Sequence, residues 1–427
     1  AERYSPLYLK VVAAANPPPQ AVGGQIFPLG KSPQANTVAD HRDILIADVS
    51  SKALGKLLRP SVLEAACDIV QPSQYGEGLH AGSTEAPHLH LRAIADVARA
   101  RGQTAVVVFA DLKAAFASIV RSLAVEVPGL EHRWMSALLE RGLTPEQARA
   151  AIDECRAARG WEATRQSKHL GDMLAQLNRA TWASIEFVEG VIATFRGGPA
   201  GSPLAGLCFV LAFDGIISDI SSAMVTSGLM IRVESAPVGA TFANGMGEVT
   251  CDMSVPAYMD DFFVAAIVPA AAALDALATI TTIIASAVAR HGMTLNFKPT
   301  KTAAVFCYAG PGSQDLRRYV VAERNDSLTV DTVSGRHTIA IVAQYKHMGT
   351  LFAPNEPLAV VVHPRLAEMG VAAAKLRHRI LRDRRLPVAA RMSVARAIAV
   401  SKGTFHFQTL GVFSQSEQQK IDAAVFV

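Results

Sequence analysis

Three aspartates stand where a chain rarely puts charge. Asp111 closes the run VVVFAD, and Asp260 and Asp261 sit side by side in PAYMDDFFVAAI (256–267). The flanks of the pair are aromatic and β-branched, which favours strands, and Asp-Asp favours a tight turn, so 256–267 predicts a β-hairpin with carboxylates at its tip. Adjacent carboxylates repel, and a hard divalent cation such as Mg2+ removes the repulsion through oxygen ligands. Taken alone, Asp-Asp is equally an ordinary solvated turn, and Asp111 equally an N-cap for a helix over 112–120. Taken together, with the glycine-rich loop FRGGPAGSPLAG (195–206) between them, two strand-end acid sites suit a pair of divalent ions. Such a pair clamps the attacking and leaving oxygens of a phosphoryl transfer.

The elements that must carry these residues follow from pattern. NPPPQ (16–20) and Gly23-Gly24 predict an irregular segment over 1–40. From Asp40 a short strand and then a basic helix are expected, ending before Pro60. Residues 85–101 read as a helix and 104–112 as a buried strand. Helices are expected through 131–190, where Thr144 caps and Pro145 occupies the first turn. An apolar helix (207–223) follows the glycine-rich loop, then two or three strands over 229–267 and a helix over 272–291. Strands are expected near 302–308, 319–331, 337–343 and 349–352, with a helical tail from 364 to 411. Interleaved strands and helices make the chain α/β or α+β.

Composition excludes several classes. Of 427 residues, 50% are apolar and 18% charged, which argues against disorder, and the net charge of +4 neither requires nor excludes a polyanionic partner. Cys67, Cys155, Cys208, Cys251 and Cys307 form no CxxC pair, so neither a zinc module nor a disulfide framework is expected. Ala at position 1 reads as a processed N-terminus or a fragment, and no leader segment is expected. ALATITTIIASAVA (276–289) is the most membrane-like run, but it is shorter than the roughly 20 residues a spanning helix needs. A soluble protein is expected.

ADLKAAF, RGGPAGSPLAG, AYMDDFF, HGMTLNFKPTKT and QYKHMGTLF occur in the order of the conserved blocks of reverse transcriptases. Over roughly residues 25–410 the chain resembles the enzymes of non-LTR retroelements and group II introns. The resemblance implies metal binding and catalysis by Asp111, Asp260 and Asp261, with Lys301 acting on the leaving pyrophosphate. It implies that Phe116 lies under the incoming sugar and rejects a 2′-hydroxyl. It places Lys31 and Arg42, from the blocks FPLGK and HRDILIADVSSKALGKLL, at the triphosphate, and Ala200 and Gly201 in the nucleotide-binding loop. QYGEGLHAGST (74–84) resembles a further block, through Gln74, Gly76, Gly82 and Thr84. Tyr345, Lys346 and Gly349 resemble the primer grip. The loop departs from the family pattern QGxPLSP, because Ala200 stands at the Gln and Ala205-Gly206 at the Ser-Pro.

The implied fold is an α+β right hand. Its parts are an irregular segment (1–24), fingers (25–103), a palm (104–355) with inserted fingers helices at about 121–193, and a helical thumb-like region (356–427). The palm would be an antiparallel sheet with helices on one face. Lys375, Arg377, Arg379, Arg382, Arg384 and Arg385 belong to nine Lys/Arg between 375 and 402 that face one acid, Asp383. That is the electrostatic footprint of nucleic-acid backbone contact. The implied activity is RNA-directed DNA synthesis with two Mg2+ ions, or Mn2+ in their place. The partners are then an RNA template, a DNA primer and dNTPs, with no membrane, at an intracellular and by family inference nuclear site. Three alternatives stay open: a decayed fold that grips nucleic acid without synthesis, an RNA-copying RNA polymerase, and a nuclease or phosphatase.

Overall fold

The computed structural model describes residues 5–37, 40–127, 129–157, 161, 167–186, 188–198, 201–235, 249–298, 300–410, 415 and 418–419. The chain begins with α1 (Ser5–Ala14), β1 (Gly23–Gly30), β2 (His41–Ala47), α2 (Val49–Ile69) and α3 (Glu85–Arg101). Next come β3 (Thr104–Ala110), the short α4 (Ala115–Ser118), α5 (Glu131–Leu139), α6 (Pro145–Ala157) and α7 (Lys168–Arg179). β4 (Thr181–Ile185) and β5 (Ile192–Thr194) precede the long α8 (Ala205–Thr226). β6 (Arg232–Ser235), β7 (Val249–Asp252), β8 (Ala257–Tyr258) and β9 (Asp261–Val268) lead into α9 (Ala273–Arg290). The rest comprises β10 (Ala303–Cys307), α10 (Ser313–Ala322), β11 (Ser327–Thr332), β12 (Gly335–Ile341), β13 (Tyr345–His347), β14 (Thr350–Phe352) and the helices α11 (Ala359–Leu376), α12 (Val388–Ala395) and α13 (Ser401–Thr404). The fold is mixed α and β.

Among the described residues the main sheet runs β11-β12-β10-β3-β9-β8, and a second runs β2-β1-β4-β5. Every pair in the main sheet is antiparallel except β10 with β12. β3 is buried along its whole length, and its period of two divides the core. Val106, Val108 and Ala110 pack with Phe209, Phe213 and Ile216 of α8 and Leu277, Ile280 and Ile284 of α9. Ala105, Val107 and Phe109 pack with Leu91 and Ile94 of α3, with Tyr345 and Phe352 against them. The sheet is thus covered on both faces, not on one as expected. A strand buried on both sides reads as an unbroken apolar run, as TAVVVFA does.

Several boundaries differ from the sequence reading. Gly23-Gly24 does not break the chain but opens β1. A Cβ at Gly23 would stand 2.4 Å from the Trp182 ring, and one at Gly24 2.4 Å from the Ile46 carbonyl oxygen, so the glycines mark close strand approach. α2 continues through Pro60 because buried Leu54, Leu58, Val62, Ala65 and Ala66 hold both halves of the helix against the core, outweighing the lost hydrogen bond. Of the strand expected over 319–331, residues 319–322 are the end of helix α10 and the strand starts only at Ser327, and 181–185 are strand, not helix. α8 and α9 are long and apolar enough to cross a membrane by length and composition, α9 being longer than its apolar run. Both bury a large part of their surface against the sheet, as core helices do.

Candidate active site

The hairpin over 257–268 forms with Ala257 opposite Phe262 and Tyr258 opposite Asp261. Its two-residue loop is therefore Met259-Asp260, one position earlier than the Asp-Asp pair, and Asp261 is the first residue of β9. Met259 takes φ +60°, a conformation that a non-glycine side chain adopts only when its surroundings impose it. β3 pairs with β9 so that Ala110 lies opposite Phe262. Asp111, one residue past β3, thus emerges at the same sheet end as the hairpin tip.

Asp111 caps no helix, because α4 starts only at Ala115 after Ala114 at φ +48°. Its setting comes from the NFKPTKT loop instead. The Asp111 N–H donates to Thr302 Oγ1 (3.2 Å), its carbonyl accepts from the Asn296 N–H (2.8 Å), and Asn296 Nδ2 donates to its Oδ2 (2.8 Å). Lys301 Nζ stands 3.3 Å from its Oδ1. Burial holds the Asp260 carboxyl above its ordinary value, and Asp111's charge adds to this against a backbone hydrogen bond. The Asp261 carboxyl is pushed up to about 6, first by burial and then by Asp260 and Asp111, with Lys301 opposing. Asp260 and Asp261 therefore feel like-charge repulsion, which Lys301 offsets only in part at Asp261, the condition a bound cation relieves. In this conformation Asp111 is turned to Lys301 and Asn296, and among the described residues no three acidic, histidine or cysteine side chains converge as a preformed ion cage.

Asp111 and Asp260 open into a cleft of about 690 Å³, within the range of small-molecule sites. Lys31 and Arg42, on β1–β2 and the loop between, line it with Phe116 and Lys301. The Phe116 ring is half-buried and stacks on Phe209 at 4.3 Å and 18°, so packing and the site share one side chain. Gly201, at φ +115°, lies where a Cβ would stand 2.2 Å from the Leu45 carbonyl oxygen, so only glycine fits. Ala200 lies outside the described residues. Gly206 is explained by its neighbour: a Cβ there would stand 2.0 Å from the Glu77 carboxylate, which pairs with Arg59 at 2.7 Å.

Tyr345 adjoins the acids. Its hydroxyl donates to the Lys301 carbonyl (2.5 Å), its ring stacks on Phe109 at 4.3 Å, and burial, aided by Asp111 and Asp261, pushes its pKa up to about 12. Lys346 is exposed. Met348 and Gly349, at φ +44° and +82°, form the two-residue turn between β13 and β14. Lys375, Arg377, Arg379, Arg382, Arg384 and Arg385 are exposed on or just beyond the end of α11 and do not line the cleft. Asp383 takes up Arg385.

Arg121 is the residue that sequence reasoning missed. Buried at 5% exposure, it donates to the carbonyls of Gly197, Asn178, Thr194 and Arg196 and to the hydroxyls of Thr181 and Thr194. It fixes the approach to the glycine-rich loop. Burial lowers its pKa to about 10, so it stays charged at neutral pH. A lone arginine inside AFASIVRSLAVEV was the available signal.

No protein-family model and no curated protein matches the sequence. Among solved structures, the chain is similar to the insertion-loop deletion mutant of the RNA-dependent RNA polymerase of a human picobirnavirus. The TM-score is 0.38 at 11% identity, over 95% of this chain and 63% of that one. The chain thus spans less than two thirds of the length of that structure.

Proposed function

We propose that the protein is a template-directed nucleotidyltransferase that copies RNA into DNA, with fingers, palm and thumb built around the main sheet. The observation that carries this reading is the meeting of Asp111 and the Asp260-Asp261 hairpin at one sheet end, open to a cleft lined by Phe116 and basic side chains. All the oxygen donors are carboxylates under mutual repulsion, which fits hard divalent ions. Asp111, Asp260 and Asp261 would hold them. Two Mg2+ ions, or Mn2+, held there would supply charge stabilisation for the attacking and leaving oxygens.

The chain's own residues do the rest. A primer 3′-hydroxyl attacks the α-phosphate of a dNTP and pyrophosphate leaves. Phe116, held by Phe209, blocks the space a 2′-hydroxyl needs. Lys31 and Arg42 bind the triphosphate. Lys301 leaves Asp111 to meet the charge on pyrophosphate. Tyr345, Lys346 and Gly349 hold the primer end, and the basic segment after α11 grips the backbone of the duplex.

A second reading, nucleic-acid binding without synthesis, is favoured by the Lys301–Asp111 ion pair at 3.3 Å, with no ion cage preformed among the described residues. Primer extension on an RNA template with Mg2+, offering dNTPs and rNTPs separately, separates the two. Incorporation of dNTPs that vanishes in Asp260→Ala supports the polymerase. Salt-sensitive binding of an RNA–DNA duplex with no incorporation supports the second reading, and equal use of rNTPs would refute the role of Phe116.

A further inference from the structure

The turn that presents the acids is held from outside its own hairpin. Gln74 is fully buried, and its carboxamide meets both backbone groups of Met259. Nε2 donates to the Met259 carbonyl (3.1 Å), and Oε1 accepts from the Met259 N–H (2.9 Å) and from the Gly76 N–H (3.0 Å). The backbone around Gln74 pairs with the same hairpin. Ser73's carbonyl accepts from the Ala257 N–H (2.9 Å), and the Tyr75 N–H donates to the Ala257 carbonyl (2.8 Å). Ser73–Tyr75 thus runs beside β8 as a parallel bridge. Gly76 completes the seat, since a Cβ there would lie 2.5 Å from Met259 Sδ.

Met259 is the left-handed residue of the loop, and Asp260 follows it directly. The orientation of its two flanking peptide planes decides where the Asp260 Cα–Cβ bond points. The carboxamide presents, side by side at this reach, a donor for the carbonyl and an acceptor for the N–H. Ionised Glu lacks the donor and Asn lacks the length, while an apolar residue leaves three backbone groups, both of Met259 and the buried Gly76 N–H, without this partner. We propose that Gln74 is the positioning residue of the acid pair, imposing the left-handed Met259 turn that aims Asp260 and Asp261 at the divalent ions. This rests on the metal-site reading above. Gln74 touches neither nucleotide nor ion and acts through the Met259 backbone.

The test is Mn2+ titration of the full chain, followed by the loss of the free-ion paramagnetic resonance signal. Wild type is compared with Asp260→Asn, Gln74→Met, Met259→Gly and the Gln74→Met/Met259→Gly double variant. Methionine keeps the length and volume of Gln74 without its hydrogen bonds, and glycine adopts φ +60° without help. Gln74→Met should bind Mn2+ about 10- to 100-fold more weakly, the usual effect of losing a group that orients a ligand. The double variant should recover most of that affinity, which a mere packing role for Gln74 does not allow. If Gln74→Met fails to fold, a double variant that folds and binds Mn2+ supports the proposal, and one that does neither overturns it. Wild-type affinity in Gln74→Met, or no recovery in the double variant, overturns Gln74's role alone. A wild-type chain that binds no Mn2+, or binds it independently of Asp260, overturns the metal-site reading and the proposal with it.

Discussion

Acidification should weaken the joint between the main sheet and the C-terminal helices by an amount that follows from three buried imidazoles. His88 on α3, His347 on β13 and His406 after α13 are exposed by 5%, 4% and 1%. The His88 ring centroid lies 5.5 Å from that of His347 and 4.9 Å from that of His406. His406 is bonded to Thr84 and Thr350, and His88 to the His347 carbonyl, while neither ring nitrogen of His347 has a partner among the described residues. Burial, with repulsion from its neighbours, lowers His88 to about 3 and His347 to about 4. Burial lowers His406 as well, with Glu85 opposing and Arg365 adding. An unfolded histidine takes its proton near 6.5. Below that pH the unfolded chain binds protons that the folded one refuses, so stability is lost as pH falls from 6.5 toward 3–4. At pH 5 the unfolded pKa lies about 1.5 units above the pH, so His88 and His347 each remove about 2 kcal/mol. Together that is about 4 kcal/mol of a total that is ordinarily 5–15 kcal/mol. Asp261, raised in the folded state, works in the opposite direction, reduced by its solvent exposure. Urea unfolding of wild type and His347→Phe between pH 7.5 and 5 cancels such shared contributions. A phenyl ring suits the site between Phe109 and Phe263, and the variant should lose about 2 kcal/mol less on acidification. Identical pH profiles for the two proteins would refute the reasoning.

Other outcomes follow from the site. Phe116→Ala should raise rNTP use relative to dNTP by about 10- to 100-fold in single-nucleotide incorporation, because a steric filter discriminates by roughly that much. Divalent-ion affinity, read by calorimetry, should fall as pH drops through about 6, where Asp261 takes its proton. An affinity flat from pH 7.5 to 5.5 would exclude Asp261 as a ligand. Arg121→Met should destabilise by about 3–5 kcal/mol in urea unfolding, since it leaves several buried carbonyls without a donor. Each of Arg377→Gln, Arg379→Gln and Arg382→Gln should lower the slope of log affinity against log salt for an RNA–DNA duplex by about one, without altering sequence preference.

What the sequence made legible was local. The aromatic and β-branched flanks of Asp260-Asp261 read correctly as a hairpin, and 104–112 as a buried strand, which ends at Ala110 just before the acid. What escaped it was set by partners far along the chain. Gly23-Gly24 looked like a break because the reason for glycine is the Trp182 ring and the Ile46 carbonyl. Pro60 looked like a helix end because the burial that carries α2 past it comes from other elements. Gln74 stood out only through a block resemblance and Arg121 only as a lone charge in an apolar run, and neither showed its role, which lies in carbonyls and amides about 60 to 185 positions away. Asp111 read as a helix cap as readily as a site residue until the Asn296–Thr302 loop was placed against it.

The order of the main sheet also bears on how the chain is made. β3 ends at residue 110, yet its neighbours β9 and β10 begin only at 261 and 303. Until β9 emerges TAVVVFA has two open edges, and until β10 emerges it keeps one, with no charge along it, the profile of a segment that recruits other strands. At ordinary elongation rates the wait to residue 307 is roughly 10–40 s. α3 is already synthesised and through Leu91 and Ile94 can cover one face of the strand, and α8 joins once residue 226 is made to cover the other, but neither helix closes an edge. Truncations ending between 110 and 300 should therefore aggregate once released from the ribosome, and a chaperone that shields extended apolar chain should be needed until β10 arrives.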